Sequence, residues 1–386
     1  MKTVVILLLA SAALLTTEAA FALTWTQTGA PQMSWWSVAC SADGTKLVAV
    51  VPYASAIYTS ADSGVTWTSN AVPSIEWWSV ASSADGTRLI AASSYGNSAL
   101  YRSTNSGASW ASNNVPDYPW FSVASSADGV KLVAVTSGGQ LTGPIYTSAD
   151  SGATWVSNNV PKDHWESVAC SADGTKLIAA AIIDYYTSTN AGATWASNGM
   201  PSVTWGAVAS SADGTKLVAA VITSGTHRIF TSTNSGANWV TNNASVGRVA
   251  AVTSSADGVV MTAVEQNRIW YTTNSGAAWA SNNITGLWQG AASSADGSKL
   301  VAASGSPGGI WISQTTPTPA LSLQPSNTNL MVSWTVPSTN FVLQQSSDLF
   351  SWAAVTGTPA LNLSSLQEEI VVVPTNNSGF YRLKTP

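Results

Sequence analysis

The tetrapeptide Ser-Ala-Asp-Gly occurs seven times between residues 41 and 297, at nearly even spacing. Its aspartates are Asp43, Asp85, Asp128, Asp173, Asp213, Asp257 and Asp296. The successive separations are 42, 43, 45, 40, 44 and 39 residues. A period in this range indicates a repeat architecture, in which each unit buries its apolar surface against the next unit.

Each repeat contains the signals of four short strands. In the first repeat, small residues lead into the Asp-Gly turn, and an apolar strand follows at 46–50. A third strand at 57–60 ends at the turn Asp62-Ser63-Gly64, and a fourth begins at Thr66. Asp-Gly and Ser-Gly turns are typical of β-hairpins. A second strand that is apolar throughout is expected in a radial stack of four-stranded sheets. The sequence therefore predicts an all-β chain with a seven-bladed β-propeller.

The two ends of the repeat region complement each other. The seventh repeat stops after its third strand, near Ile312, whereas residues 23–26 read like the fourth-strand segment at 65–68. We therefore expect the N-terminal strand to complete the last blade and close the ring, which leaves no open sheet edge.

A second motif, S-x-[DN]-x-G-x-[ST]-W, occurs once in each of the first six repeats. It occurs at 60–67, 103–110, 148–155 and 188–195, with looser copies at 232–239 and 272–279. This motif is similar to the Asp-box, or BNR repeat. The resemblance implies a propeller at 23–314, of a superfamily that includes sialidases, other glycosidases and photosystem II assembly factors. It implies a fold more firmly than a function. Its Asp or Asn is expected to hold a turn, because these side chains accept hydrogen bonds from nearby backbone N–H groups.

Beyond the repeats, residues 315–319 form a Pro/Thr-rich linker. Residues 320–386 contain further strand-like segments and resemble a small fibronectin-III-like β-sandwich, with Trp334 as its core aromatic.

The N-terminus has the pattern of an export signal. Lys2 precedes a short apolar run, and small residues end at Ala22, so we expect a signal peptide at 1–22 and a secreted or periplasmic protein. No later segment is long enough to span a membrane. The net charge of −5 and the lack of a basic cluster argue against nucleic-acid binding. We expect a monomer.

The residues that carry most metal and redox chemistry are few. Cys40 and Cys170 are the only cysteines and belong to blades that are not neighbours, so we expect them to be unpaired. His164 and His227 are the only histidines, and no spacing resembles a metal site. The sequence therefore predicts no metal, no cofactor and no catalytic residue.

Tryptophan dominates the aromatic residues, and most of the 19 fall into two repeat slots. Tryptophans in the first slot begin the fourth strand of each repeat, and we expect their side chains to pack within the blade. The other slot lies eight residues before the Asp-Gly aspartate, on the opposite face, and together with loop tyrosines predicts a binding surface for carbohydrate or a cell-surface partner. This candidate ligand-binding set is Trp35, Trp77, Trp120, Trp165, Trp205, Trp288, Tyr53 and Tyr95. The alternative is that its tryptophans wedge between blades.

One sector departs from this pattern, because Val249 replaces tryptophan there. Arg228, Arg248 and Arg268 are expected on this side and form a candidate anion-binding site, since arginine binds carboxylate and phosphate bidentately. The alternative is three solvated loop charges.

The predicted function is a non-catalytic binding or scaffold protein. Two alternatives remain open: a sialidase-like glycoside hydrolase, and a protein-assembly factor of the photosystem II type. A hydrolase would need paired carboxylates. The candidates are Glu76, Asp117, Asp163, Glu166, Asp184 and Glu265.

Overall fold

The computed structural model describes residues 23–52, 56–95, 98–136, 142–161, 163–182, 184–197, 204–221, 228–242, 246–315, 321–326, 329–336, 341–373 and 379–384, with only the backbone of residue 95. The predicted signal peptide at 1–22 and linker residues 316–319 lie outside these ranges. The regular elements of the described residues are strands, which confirms the all-β prediction.

The repeats form four-stranded antiparallel sheets, numbered here in chain order. Sheet 1 contains β2 (Ser37–Cys40), β3 (Leu47–Val51), β4 (Ala56–Ser60) and β5 (Thr68–Ser69). Sheet 2 contains β6 (Glu76–Ser82), β7 (Leu89–Tyr95), β8 (Leu100–Ser103) and β9 (Ala111–Ser112). Sheet 3 contains β10 (Trp120–Ser125), β11 (Leu132–Thr136), β12 (Ile145–Ser148) and β13 (Val156–Ser157). Sheet 4 contains β14 (Trp165–Cys170), β15 (Leu177–Ala181), β16 (Tyr185–Ser188) and β17 (Ala196–Ser197). Sheet 5 contains β18 (Trp205–Ser210), β19 (Leu217–Val221), β20 (Arg228–Ser232) and β21 (Val240–Thr241). Sheet 6 contains β22 (Val249–Ser254), β23 (Met261–Glu265), β24 (Arg268–Thr272) and β25 (Ala280–Asn282).

Sheet 7 joins the two ends of the repeat region. It contains β26 (Trp288–Ser293), β27 (Lys299–Gly305), β28 (Gly308–Gln314) and the N-terminal strand β1 (Trp25–Gln27). In the antiparallel pairing of β1 with β28, Trp25 lies opposite Ser313. The indole of Trp25 is buried with Trp288 and Ile269, so the strand contributes apolar packing as well as backbone hydrogen bonds.

The first strands of consecutive sheets contact one another in circular order, and β26 contacts β2. These strands therefore enclose a central channel. The second strands lie behind them and are almost fully apolar, as in Leu47–Val51, where every residue is buried. Burial on both faces explains why these strands lack the alternation of a half-exposed strand.

A closed circle of backbone hydrogen bonds links the sheets at one end of the channel. In each Ser-Ala-Asp-Gly segment the alanine N–H donates to the alanine carbonyl of the next sheet, at 2.7–2.8 Å. The circle runs through Ala42, Ala84, Ala127, Ala172, Ala212, Ala256 and Ala295, and returns to Ala42. We call these residues the alanine circle. They fix the spacing of the sheets at this end.

Basic side chains reinforce the same junctions. The ammonium of Lys46 donates to the Asp85 carbonyl of the next sheet at 2.8 Å, and Lys131, Lys176 and Lys216 repeat this contact. Buried Lys299 connects sheet 7 to sheet 1 by donating to the Gly44 carbonyl and to Ser63 Oγ. Many of the few lysine side chains in this protein therefore connect neighbouring sheets.

The turns of the S-x-[DN]-x-G-x-[ST]-W motif are held by their own side chains. In the copy of this motif in sheet 3, Thr154 donates from its backbone N–H to Asp150 Oδ1 at 2.8 Å and from its hydroxyl to Asp150 Oδ2 at 2.6 Å. These hydrogen bonds lower the pKa of Asp150 to about 2. In sheet 2, Asn105 accepts the equivalent backbone hydrogen bond from Ser109. This geometry agrees with a structural role for the motif.

Replacing Asp150 with Asn is expected to weaken the acid sensitivity of the fold. Because the folded-state pKa of Asp150 lies below the ordinary value, its stabilising effect is complete above about pH 4 and is lost as the pH falls through about 2. An amide does not titrate, so the melting temperature of Asp150→Asn should fall less between pH 5 and pH 2 than that of the wild type. Asn105→Asp is the matched reverse change and should steepen the fall. Equal slopes in all three proteins would contradict this role.

The C-terminal residues form two further sheets. One contains β29 (Ser322–Ser326), β30 (Asn329–Thr335), β33 (Ala360–Asn362) and β34 (Gln367–Val372), and the other contains β31 (Val342–Ser346), β32 (Ala353–Ala354) and β35 (Phe380–Lys384). Trp334 is buried among Val332, Leu343 and Ile370, so residues from both sheets share one apolar core.

Candidate functional site

The six tryptophans of the predicted ligand-binding set are buried. Their exposed fractions are 2% for Trp288 and 0% for the other five. Trp77, for example, packs edge-on against Tyr101 of its own sheet with ring centroids 5.3 Å apart, beside Val48 and Ile57 of sheet 1. The arrangement is that of the packing alternative: the rings wedge between sheets and leave no face for a ligand. Tyr53 and the side chain of Tyr95 lie outside the described residues, as do residues 97, 140 and 227.

We call the position of these six tryptophans, which Val249 occupies in sheet 6, the wedge position. A β-bulge follows it on the first strand of sheets 2 to 7. The pairing register shifts between the wedge residue and the residue two positions later, as between Trp165 and Ser167. The same shift occurs in the other five sheets. A bulge turns the extra residue away from the regular alternation of the strand. Two adjacent residues therefore have different surroundings: the first packs between sheets, and the second lies at the channel.

We call the seven equivalent residues after the wedge position the mouth ring. It consists of Trp36, Trp78, Phe121, Glu166, Gly206, Ala250 and Gln289. These residues lie at the start of the first strands, whereas the alanine circle follows the ends of the same strands. Six residue steps separate each mouth-ring residue from the alanine of the same sheet, so at about 3.3 Å per residue the two levels are at most about 20 Å apart along the channel.

One side of the mouth ring is aromatic. The rings of Trp36 and Trp78 meet edge-on with centroids 4.6 Å apart. Trp78 also stacks on Phe121, with centroids 5.4 Å apart and an angle of 28° between the planes. All three side chains are half-buried, so they form an apolar wall that solvent still reaches. Such a wall offers aromatic surface for stacking.

The other side of the mouth ring consists of small and polar residues. Burial raises the pKa of the Glu166 carboxyl, while the charges of Arg248 and His164 partly offset this effect. Gly206 and Ala250 occupy the next two positions and fill little space, and Gln289 completes the ring. An apolar wall therefore faces a small-residue gap flanked by a carboxylate and an amide.

The three arginines of the predicted anion site have different surroundings. Arg268 lies over the ring of Trp270, with 5.3 Å between the guanidinium carbon and the ring centroid, and donates to Asn283 at 3.2 Å. Arg248 is exposed, and its positive charge lies close enough to lower the pKa of the Glu166 carboxyl. Arg228 is exposed at the start of β20. The structure thus gives Arg268 and Arg248 separate partners.

Glu265, one of the carboxylates considered for hydrolysis, is buried and fully engaged. Its Oε1 accepts a hydrogen bond from the Trp270 indole at 2.9 Å and lies 3.9 Å from Arg268 Nε. Its Oε2 accepts a hydrogen bond from the Gly247 backbone N–H. These contacts fix the segment before β22, which is a structural role. Asp163 and Asp184 likewise accept local backbone hydrogen bonds, from His164 and Tyr185.

The two cysteines are free thiols at the alanine-circle end of the channel. Both cysteine residues are half-buried and line a cavity at that end. Burial raises the pKa of both thiols to about 12. Among the described residues, no group of three or more His, Cys, Asp or Glu side chains is arranged to hold a metal ion. The described residues also contain no helix long and apolar enough to cross a bilayer.

Comparison with solved structures identifies the architecture of the repeat region. The structure of YCF48 bound to D1 peptide matches with a TM-score of 0.58 and 16% sequence identity, over 76% of this chain and 96% of that chain. Hydrazine synthase from Kuenenia stuttgartiensis matches with a TM-score of 0.63 and 14% identity, over 76% of this chain and 99% of that chain. Both matched structures are β-propellers.

The chain contains a β-propeller. The GH74 xyloglucanase from Xanthomonas campestris also matches, with a TM-score of 0.60 and 15% identity, over 81% of this chain and 59% of the xyloglucanase chain. At these identities the similarity extends to the propeller fold and carries no activity. No family model and no curated protein sequence matches the chain.

Proposed function

We propose that this chain is a secreted, non-catalytic, seven-bladed β-propeller that binds carbohydrate through its mouth ring. In this proposal each of sheets 1 to 7 is one blade of a propeller spanning 23–314, and its Asp-box turns are those of the BNR repeat. Residues 320–386 form a fibronectin-III-like sandwich, and the mature monomer begins after residue 22.

Sequence variation within the mouth ring carries the proposal. The wedge position before it is tryptophan in six sheets and valine in one, and the next position after it holds only Ser, Ala or Gly. By contrast, the mouth ring contains aromatic, acidic, amide and small residues. Positions that serve only to pack identical blades stay uniform from blade to blade. A ring that differs at nearly every blade forms one asymmetric surface, which suits recognition of an asymmetric ligand.

The chemistry of the mouth ring suits a sugar. Pyranose rings present apolar C–H faces, which stack on aromatic side chains such as Trp36 and Trp78, and hydroxyl edges, which need hydrogen-bonding partners. Glu166 and Gln289 supply such partners on the opposite side of the ring. The gap at Gly206 and Ala250 leaves room for the ligand between the two sides.

Binding without turnover is favoured because Glu166 is the sole carboxylate of the mouth ring. Glycoside hydrolysis uses two carboxyl groups about 5–10 Å apart across the scissile bond. Glu265 cannot serve as the second, since both of its oxygens hold structural partners.

A peptide partner is the second candidate, because the matched YCF48 structure holds a D1 peptide. The exposed Arg248 beside the mouth ring would interact with an acidic or C-terminal carboxylate on such a partner.

A glycan array and a panel of fluorogenic glycosides test the proposal together. The purified mature protein is expected to bind a subset of the glycans and to release no fluorophore from any glycoside. Turnover that Glu166→Gln abolishes would contradict the non-catalytic assignment. Binding to peptides and to no glycan would favour the second candidate.

A further inference from the structure

The C-terminal sheets contact the propeller at the alanine-circle end of the channel. Leu366 lies in the turn between β33 and β34 and packs against the alanines of the circle, with Val336 beside it against Ala42 and Ala295. A cavity of about 160 Å³ lies at this end, lined by the serines and alanines of the first strands, both cysteines and Leu366. One leucine therefore stands at the centre of a circle made of small residues.

The turn that presents Leu366 is held in an unfavourable backbone conformation. The φ of Leu366 is +52°, a region that bulky residues rarely adopt. Its carbonyl accepts a hydrogen bond from the Val336 N–H at 2.9 Å. Asn362 accepts from the backbone N–H groups of Ser364 and Ser365, which tightens the same turn. Several contacts thus keep the leucine in a strained but fixed position, as is found where a side chain has a specific task.

The connection to the propeller keeps the C-terminal sheets at this end. Strand β28 ends beside the Asp-Gly turn of sheet 7, where the Thr315 N–H donates to the Ser298 carbonyl at 2.8 Å. Only six residue steps separate Thr315 from Leu321, a reach of about 20 Å at full extension.

We propose that the C-terminal module is a stopper that closes one end of the propeller channel. Leu366 fills the centre of the alanine circle, and the cavity with its two thiols lies behind it. The channel is then open only at the mouth ring, so ligands reach it from that end alone. The stopper also shields Cys40 and Cys170 from solutes on its side. This inference does not depend on what the mouth ring binds.

The native cysteines report directly on the stopper, since the chain has no others. The full-length mature protein is treated with a bulky maleimide under native conditions, and modification of each cysteine is followed by mass spectrometry. We expect slow labelling of the wild type. Leu366→Asp places a charge among apolar side chains and should displace the stopper, raising both labelling rates at least about tenfold. Leu363→Asp changes an exposed leucine of the same turn and should label like the wild type.

Equal labelling rates for the wild type and a folded Leu366→Asp protein would overturn the proposal, because the two proteins differ only in whether the stopper is seated. If Leu366→Asp does not fold, Leu366→Ala replaces it, because shortening the side chain opens the centre of the circle without adding charge. Its labelling should still exceed that of Leu363→Asp, and equal rates would contradict the stopper. Cys40→Ser and Cys170→Ser, which install the serine found in other blades, assign the signal to each thiol.

Discussion

Trp77→Ala is expected to lower the free energy of unfolding by about 3–5 kcal/mol, the range for removing a large buried aromatic side chain. The Trp77 indole has no solvent exposure and fills the space between sheets 1 and 2, beside Val48, Ile57 and Tyr101. Its loss removes apolar burial and leaves a cavity that rigid strands on both sides cannot collapse to fill. Chemical denaturation followed by circular dichroism measures the change.

The adjacent Trp78→Ala is the matched control. Trp78 is half-buried in the mouth ring, so its removal leaves a more open space and should cost about 1–2 kcal/mol. Similar losses of unfolding free energy in the two variants would contradict the different packing of the wedge and mouth-ring positions. A wild-type stability for Trp77→Ala would contradict its packing role altogether.

Glu265→Ala is expected to destabilise the propeller by about 2–4 kcal/mol, because it leaves buried donors without an acceptor. The Trp270 indole N–H and the Gly247 backbone N–H both lose their partner, and the segment before β22 loses its attachment to β23. Thermal and urea unfolding measure the effect.

Glu265→Gln retains an acceptor for the Trp270 indole and should cost less than Glu265→Ala. Neither substitution is expected to change ligand binding at the mouth ring of the folded protein. A loss of binding in Glu265→Gln at wild-type stability would indicate a functional carboxylate instead of a structural one.

The strand pattern of the repeats was readable from the sequence because local signals determine it. Each of these signals spans only a few residues. They are the Asp-Gly and Ser-Gly turns, the apolar second strand, and the similarity of residues 23–26 to the fourth strands of other repeats. The pairing of β1 with β28 follows from the same similarity, because residues 23–26 resemble the fourth strand that the seventh repeat lacks.

The site was less predictable because a bulge reverses the roles of neighbouring residues. Counting from the Asp-Gly turn found the correct region of each first strand but selected Trp77, which packs, instead of Trp78, which lies at the channel. Regular strand alternation does not indicate where the extra residue falls. An adjacent signal was available: the residue after each wedge tryptophan varies from repeat to repeat.

Contacts between segments that are distant in the sequence could not be predicted from local sequence patterns either. Nothing near Lys46 indicates that its ammonium reaches the Asp85 carbonyl of the next sheet. In the same way, Leu366 is an ordinary turn residue in the sequence, and only the assembled circle of alanines gives it a task. Such contacts depend on how complete sheets stack.

The most direct test of the proposed function compares Trp78→Ala with Trp352→Ala on the same glycan array at equal protein concentration. Trp352 is a half-buried tryptophan of the C-terminal module, where it contacts Arg382, and it lies outside the mouth ring. Loss of one stacking surface should weaken glycan binding by Trp78→Ala about tenfold, equivalent to about 1.4 kcal/mol, and leave Trp352→Ala unchanged. Glycan binding that survives undiminished in a folded Trp78→Ala protein would contradict recognition through the mouth ring.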